Sequence, residues 1–297
     1  MLFDVSNAKM ISKKEVNQIE STKAERGDVL PAENKSEERK QELNKTIDDF
    51  SLFDDDFMSV VFDRNIEATE FLLNTILERD DMNVIEVIGQ REYKNPVIGG
   101  RSIRIDIYAK DSKGKIYDVE VQRADEGADV HRARFNSSMI DTRMLKESQK
   151  FKELHESYVI FITKNDVMGS SLPLYHIDRV VKETGISFED GSHIIYVNGS
   201  YQNENDPIGK LVHDFDCKES EDVFYPILAK QIHYFKETEG GRATMCKAVE
   251  ELAEKWAEES RLDDIRNLME SMQWTVEQAM DALRISEEDR AILLKRF

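Results

Sequence analysis

The chain has little cysteine, no long apolar run and a deficit of positive charge, and each shortage removes a class of function. Two of its 297 residues are cysteine, Cys217 and Cys246. They form neither a disulfide framework nor a zinc pattern, so a reducing cytoplasm is the expected home. No stretch approaches the roughly 18 uninterrupted apolar residues of a membrane-spanning helix. The opening MLFDVSNAKMISKKEVNQIE lacks the apolar core of a signal peptide, and no membrane partner is expected. Glycine-rich loops of the P-loop and dinucleotide-binding kinds are missing, which removes a nucleotide cofactor from the expectation, and GxSxG is missing too. The six histidines are scattered, with no HExxH and no cysteine partner at zinc spacing. His176 and His193, on strand-like runs, read as packing or surface residues.

Basic residues number 41 against 60 acidic ones, a net charge of −19, and the acidic excess runs through the whole chain. Duplex DNA repels such a body, because affinity for it comes from Lys and Arg neutralising phosphates. Any nucleic-acid footprint must therefore be a local basic strip, with weak intrinsic binding.

What is present is enough for one sizeable core with appendages, at 40% hydrophobic residues. Residues 1–50 are charged and poor in aromatics, with runs such as PAENKSEERK. Such a segment cannot bury enough apolar surface to offset its ordering entropy, so a disordered tail is expected, with a transient helix around Ser36–Asn44. Asn65 is a plausible N-cap for a helix through about Leu77, with Glu70 beside its apolar stripe. Asp129–Lys150 reads as a helix carrying His131, Arg132 and Arg134, and Tyr158–Thr163 as a short buried strand. Leu174–Val181 and His193–Val197 would widen the sheet. From residue 237 the composition shifts to helix formers, giving three parts: a tail over 1–50, a domain over 51–236 and a helical extension over 237–297. The extension's apolar spacing suits burial against the parent domain or a partner helix, and through it a homo-oligomer. Two short capped helices, Thr275–Leu283 and Ser286–Phe297, are expected at its end.

Most of the functional information lies in two alternating runs, RSIRIDIYA from Arg101 and KIYDVEVQR from Lys115, joined by Asp111–Gly114. Alternation gives each strand two faces, and Asp106 and Glu120 fall on the polar ones. With Gly114 in the left-handed position of a three-residue loop, Lys115 pairs with Asp111 and the same register sets Glu120 opposite Asp106. Like charges facing each other on a sheet cost about 0.2–1 kcal/mol, a cost that a divalent cation would reverse. Magnesium favours such hard oxygen ligands, and Gln122 would point into the same place. Hairpin geometry alone leaves two readings open: a cation site, or a solvated acidic face.

Resemblance separates them. FMSVVFDRNIEATEFLLNTIL, RSIRIDIYA, YDVEVQRAD and RARFNSSMID resemble the PD-(D/E)XK nuclease family transposases of bacteria, the recombination-promoting nucleases, over about Phe57 to Phe235. The resemblance implies an α/β restriction-endonuclease-like core, a mixed sheet flanked by helices with a helical C-terminal extension. It implies a transposase- or recombination-associated endonuclease acting on DNA with Mg²⁺ or Mn²⁺. Asp106, Glu120 and the Val121 carbonyl would hold the metal, Gln122 would position water, and Glu70 would complete the acidic cluster. Arg132 or Arg134 would reach a phosphate. Two departures stand out: Gln122 where the superfamily pattern ends in Lys, and Ile105 where a Pro would precede the Asp. An amide orients water or phosphate but lacks the ammonium charge. The rival expectation is a non-catalytic interaction protein that keeps the fold. Nothing in the sequence reads a 2′-hydroxyl, so RNA is not separated from DNA.

Overall fold

The computed structural model describes residues 32–97 and 100–297. They form a compact unit through Met245 and a second unit, Cys246–Phe297. In the first, helices α1 (Ala32–Asp49), α2 (Asp55–Phe62) and α3 (Ile66–Ile76) precede strands β1 (Val84–Tyr93), β2 (Ile103–Asp111) and β3 (Ile116–Gln122). Helix α4 (Val130–Met144) leads to β4 (Ser157–Thr163), β5 (Leu174–Ile177), the small pair β6 (Val180–Val181) and β7 (Ile186–Ser187), and β8 (Ser192–Asn198). Helices α5 (Pro207–Asp216) and α6 (Pro226–Glu237) follow, then the long α7 (Glu239–Met272), α8 (Val276–Ala282) and α9 (Glu287–Leu293).

The six-stranded sheet has the order β1-β2-β3-β4-β8-β5. β1, β2 and β3 form an antiparallel meander, β3, β4 and β8 run parallel, and β5 returns antiparallel at the edge. A parallel neighbour demands a crossover, and α4 supplies it between β3 and β4. The central parallel strands β3 and β4 are buried almost end to end, since helices cover both faces of such a sheet. α2 packs on β1, β2 and β3, while α4 packs on β4 and β8. At Gly89 of β1 the backbone approaches α2 so closely that a Cβ would meet the Ser59 carbonyl at 2.5 Å.

The hairpin closes as its sequence requires. Gly114 takes a φ of +84°, donates its N–H to the Asp111 carbonyl, and Asp111 N–H reaches Lys115 O at 3.1 Å. The pairs Lys110↔Ile116, Tyr108↔Asp118 and Ile107↔Val119 follow, and one further step in the same register would set Asp106 opposite Glu120. Asn65 caps α3 through Ala68 N–H at 3.1 Å, and Asp129 caps α4. Helix α4 ends at Met144, six residues before the expected end at Lys150, and the expected strand Leu174–Val181 is broken into β5 and β6. Thr275 and Ser286 cap α8 and α9, Thr275 in a reciprocal capping box with Gln278.

The expected tail needs correction. Residues 1–31 lie outside the described ones, but Ala32–Asp49 is helical and Ile47 is fully buried. Polar anchoring replaces the missing apolar stripe. Arg242 contacts Asn44 and, at 2.7 Å, Asp48, while the ammonium of the buried Lys236 donates to the Asp48 carbonyl at 2.8 Å. These cations lie almost 200 residues downstream, where local composition carries no trace of the partnership. Among the described residues no helix is long and apolar enough to cross a membrane.

Candidate functional site

Strands β2 and β3 put Asp106, Asp118 and Glu120 on one face of the sheet, and α4 lies over it. The face is not solvated: Asp106 is 4% exposed, and Asp118 and Glu120 are 0% exposed. The polar alternation that resembles a wet face is instead lined by polar residues of α4. Arg132 forms an ion pair with Glu120 and also donates to Gln122 Oε1 at 3.2 Å and to the Gly127 carbonyl at 3.0 Å. One turn on, the Asn136 amide donates to Asp118 Oδ2 at 3.0 Å and Glu120 Oε1 at 3.4 Å. Arg132 and Asn136 are four residues apart, so they share a helix face. Asp106 accepts the Val121 N–H at 3.1 Å.

Electrostatics set this face apart. Burial, then the Glu120 charge and that of Asp55, push Asp106 well above the usual carboxylate range. Burial and Asp118 push Glu120 well up, with Arg132 opposing. Asp118 is raised to about 7, chiefly by burial, with the Asn136 hydrogen bond pulling the other way. Three buried carboxylates thus face one contacting guanidinium. Asp118 Oδ1 and Asn136 Oδ1 are buried with no hydrogen-bond partner. An excess of hard oxygen atoms, two of them without donors, fits a bound divalent cation; the alternative neutraliser is a proton.

A second acidic group flanks the first. Asp54, Asp55 and Asp56 stand at the start of α2, where the helix dipole favours negative charge. Arg123 pairs with Asp54 at 2.8 Å, Arg104 with Asp55 at 3.6 Å, and Gln90 donates to Asp56 at 3.1 Å. Burial, followed by repulsion from Asp55, raises Asp56 to about 7. Sequence reasoning missed Asp56, Asp118 and Asn136. The signals were there: Asp118 shares the strand parity of Glu120, Asn136 the helix face of Arg132, and the triple Asp precedes the apolar turn FMSVVF.

The structure brings Asp106, Glu120, Val121, Gln122 and Arg132 together, but not Glu70 or Arg134. Glu70 Oε1 accepts the Val84 N–H at 2.8 Å, at the end of β1 that pairs with Asp111, five residues along β2 from Asp106. Helical periodicity fixes which face a residue takes, not which end of a strand it meets. Arg134 is exposed and stands two residues from Arg132, on a different side of α4.

Comparison with known proteins agrees with this arrangement. The sequence model of the PD-(D/E)XK nuclease family transposases matches residues 62–206, which include β1 to β8 and α4. No curated protein and no solved structure matches the chain.

Proposed function

We propose that this chain, which belongs through residues 62–206 to the PD-(D/E)XK nuclease family transposases, is a metal-dependent DNA endonuclease of the transposase- and recombination-associated kind. The observation that carries the reading is the buried excess of carboxylate over cation on the β2–β3 face, with acceptor atoms that no donor reaches. Asp106 and Glu120, with the Val121 carbonyl, are the residues to hold Mg²⁺ or Mn²⁺. Such an ion, when bound, lowers the pKa of its water and neutralises charge on the scissile phosphate.

The chain's own groups do the positioning. Val121 N–H fixes the Asp106 carboxylate, and Asn136 fixes Asp118 beside Glu120. Gln122, half-exposed at the end of β3, is the residue to orient the attacking water. Arg132, 35% exposed, holds Glu120 and Gln122 in place and is the guanidinium placed to meet a phosphate. Arg104 and Arg123 already pair with Asp55 and Asp54, so a DNA strand must exchange these contacts for its own. With a net charge of −19, this predicts weak binding with a shallow salt slope.

The same facts favour one other reading, a non-catalytic interaction protein in which Arg132 permanently occupies Glu120. Nicking of supercoiled plasmid distinguishes them. Mg²⁺-dependent nicking by the wild type that disappears in Asp106→Ala supports the enzyme; no nicking by a folded wild type with either metal supports the rival.

A further inference from the structure

We propose that His213, Asp214 and Cys217 form a second metal site, of the zinc class, at the C-terminal end of α5. Sequence spacing gave no zinc pattern, yet the helix sets His213 and Cys217 one turn apart. Cys217 Sγ lies 3.5 Å from His213 Nδ1 and 3.6 Å from the carbonyl of Asp222, and His213 Nδ1 lies 3.3 Å from Asp214 Oδ1. The three side-chain donors all fall within 4.8 Å of one another. Ideal zinc bond lengths and tetrahedral angles put sulfur and nitrogen donors about 3.5 Å apart and nitrogen and oxygen donors about 3.3 Å apart. The Sγ–Nδ1 and Nδ1–Oδ1 separations match those two edges, and the Asp222 carbonyl, 3.6 Å from the thiol, is the proposed fourth donor.

The surroundings agree with a cation. Asp214, Asp216 and Asp222 place negative charge around the thiol, and the described residues place no Lys or Arg in an ion pair with Asp214. Asp214 is 0% exposed and already organised: its two oxygens accept the N–H groups of Phe224 and Tyr225, each at 2.8 Å. A carboxylate oxygen has lone pairs for both a backbone donor and a metal. The His213 ring rests against Phe224, with centroids 4.6 Å apart, and its side chain is 38% exposed, which gives an ion a way in. Thiolate with imidazole selects zinc over magnesium, so this site and the acidic face of β2 and β3 take different ions. A bound ion would tie the end of α5 to the loop that begins α6.

The test uses the full chain, freed of metal by chelation under reducing conditions, with Zn²⁺ and then Co²⁺ as the only added metal. Wild type, Cys246→Ser and Glu120→Gln are expected to retain Zn²⁺ through gel filtration and to give a thiolate-to-cobalt charge-transfer band. Cys217→Ser and His213→Gln lose both while keeping the wild-type circular dichroism. A wild-type Co²⁺ complex without that band, or a Cys217→Ser protein that keeps it, overturns the proposal. Should either variant not fold, alkylation of the wild type decides. Zn²⁺ that protects Cys217 but not Cys246 supports the site, and equal rates with and without Zn²⁺ contradict it.

Discussion

Asp214 and the Asp118–Glu120 strand are both buried, acidic and raised above the ordinary carboxylate range by burial, yet they differ in what meets their oxygens. Asp214 is met by two backbone N–H groups of one loop. On β3 two carboxylates lie side by side with Asp106 nearby, and Asp118 Oδ1 meets nothing. Burial alone therefore does not mark a functional acid. Backbone donors alone can hold a buried carboxylate such as Asp214, whether or not an ion binds its outer side, whereas a group of carboxylates short of donors needs a further neutraliser, a proton or a cation.

The largest expected effects break this comparison by exchanging the roles. Asp106→Asn and Glu120→Gln should each lower Mg²⁺-dependent nicking by about 10²-fold or more, on the scale of losing a preorganised transition-state group, with unfolding temperature level or raised in the absence of metal. Asp214→Ala should do the reverse. It leaves two buried N–H groups without an acceptor, costing about 2–4 kcal/mol, and thermal denaturation should reveal the loss while any nicking by the folded fraction persists.

The next effect is a pH dependence. Asp118 is raised from 3.8 to about 7 in the folded state, so the native protein binds the extra proton between those values. Its stabilisation is complete below the unfolded pKa and is lost as pH rises through about 7. Asp56 contributes in the same direction. Metal-free protein should thus unfold at lower temperature as pH rises from about 4 to about 7, in the range of these two groups. Asp118→Asn should flatten that decline, and Mg²⁺ should oppose it. A decline of equal slope in Asp118→Asn would assign the titration elsewhere.

How far the sequence reaches is seen in these residues. Period-two alternation and Gly114 suffice for the hairpin register, because a one-residue slip would invert every side chain. They do not reveal burial: a strand reading Asp118-Val119-Glu120 looks half-wet until Arg132 and Asn136 of α4 are placed over it. The triple Asp opening α2 escaped notice because it adjoins a charged segment read as tail. Resemblance supplied Glu70 as the third acid, but only the sheet shows Glu70 closing the N–H of Val84.

Smaller effects sharpen the outline of the site. Gln122→Leu removes an acceptor of Arg132 and the proposed water-orienting amide, and should slow nicking about 10-fold, near the lower range for supporting groups around a metal. Gln122→Lys should keep cleavage, because an ammonium adds the transition-state charge that an amide lacks. Glu70→Gln should change neither nicking nor Mg²⁺ affinity, since an amide oxygen still accepts the Val84 N–H. A Glu70→Gln protein that folds but no longer cleaves would return that residue to the site.

The most direct test is a calorimetric Mg²⁺ titration near neutral pH, in buffers of different ionisation enthalpy, for wild type, Glu120→Gln and Glu70→Gln. Carboxylates held protonated by burial must release protons when a cation replaces them. The wild type and Glu70→Gln should therefore bind Mg²⁺ with heats that vary with the buffer, while Glu120→Gln shows neither binding nor proton release. Equal binding by Glu120→Gln, or wild-type heats independent of buffer, would contradict the assignment of the buried acidic face as the metal centre.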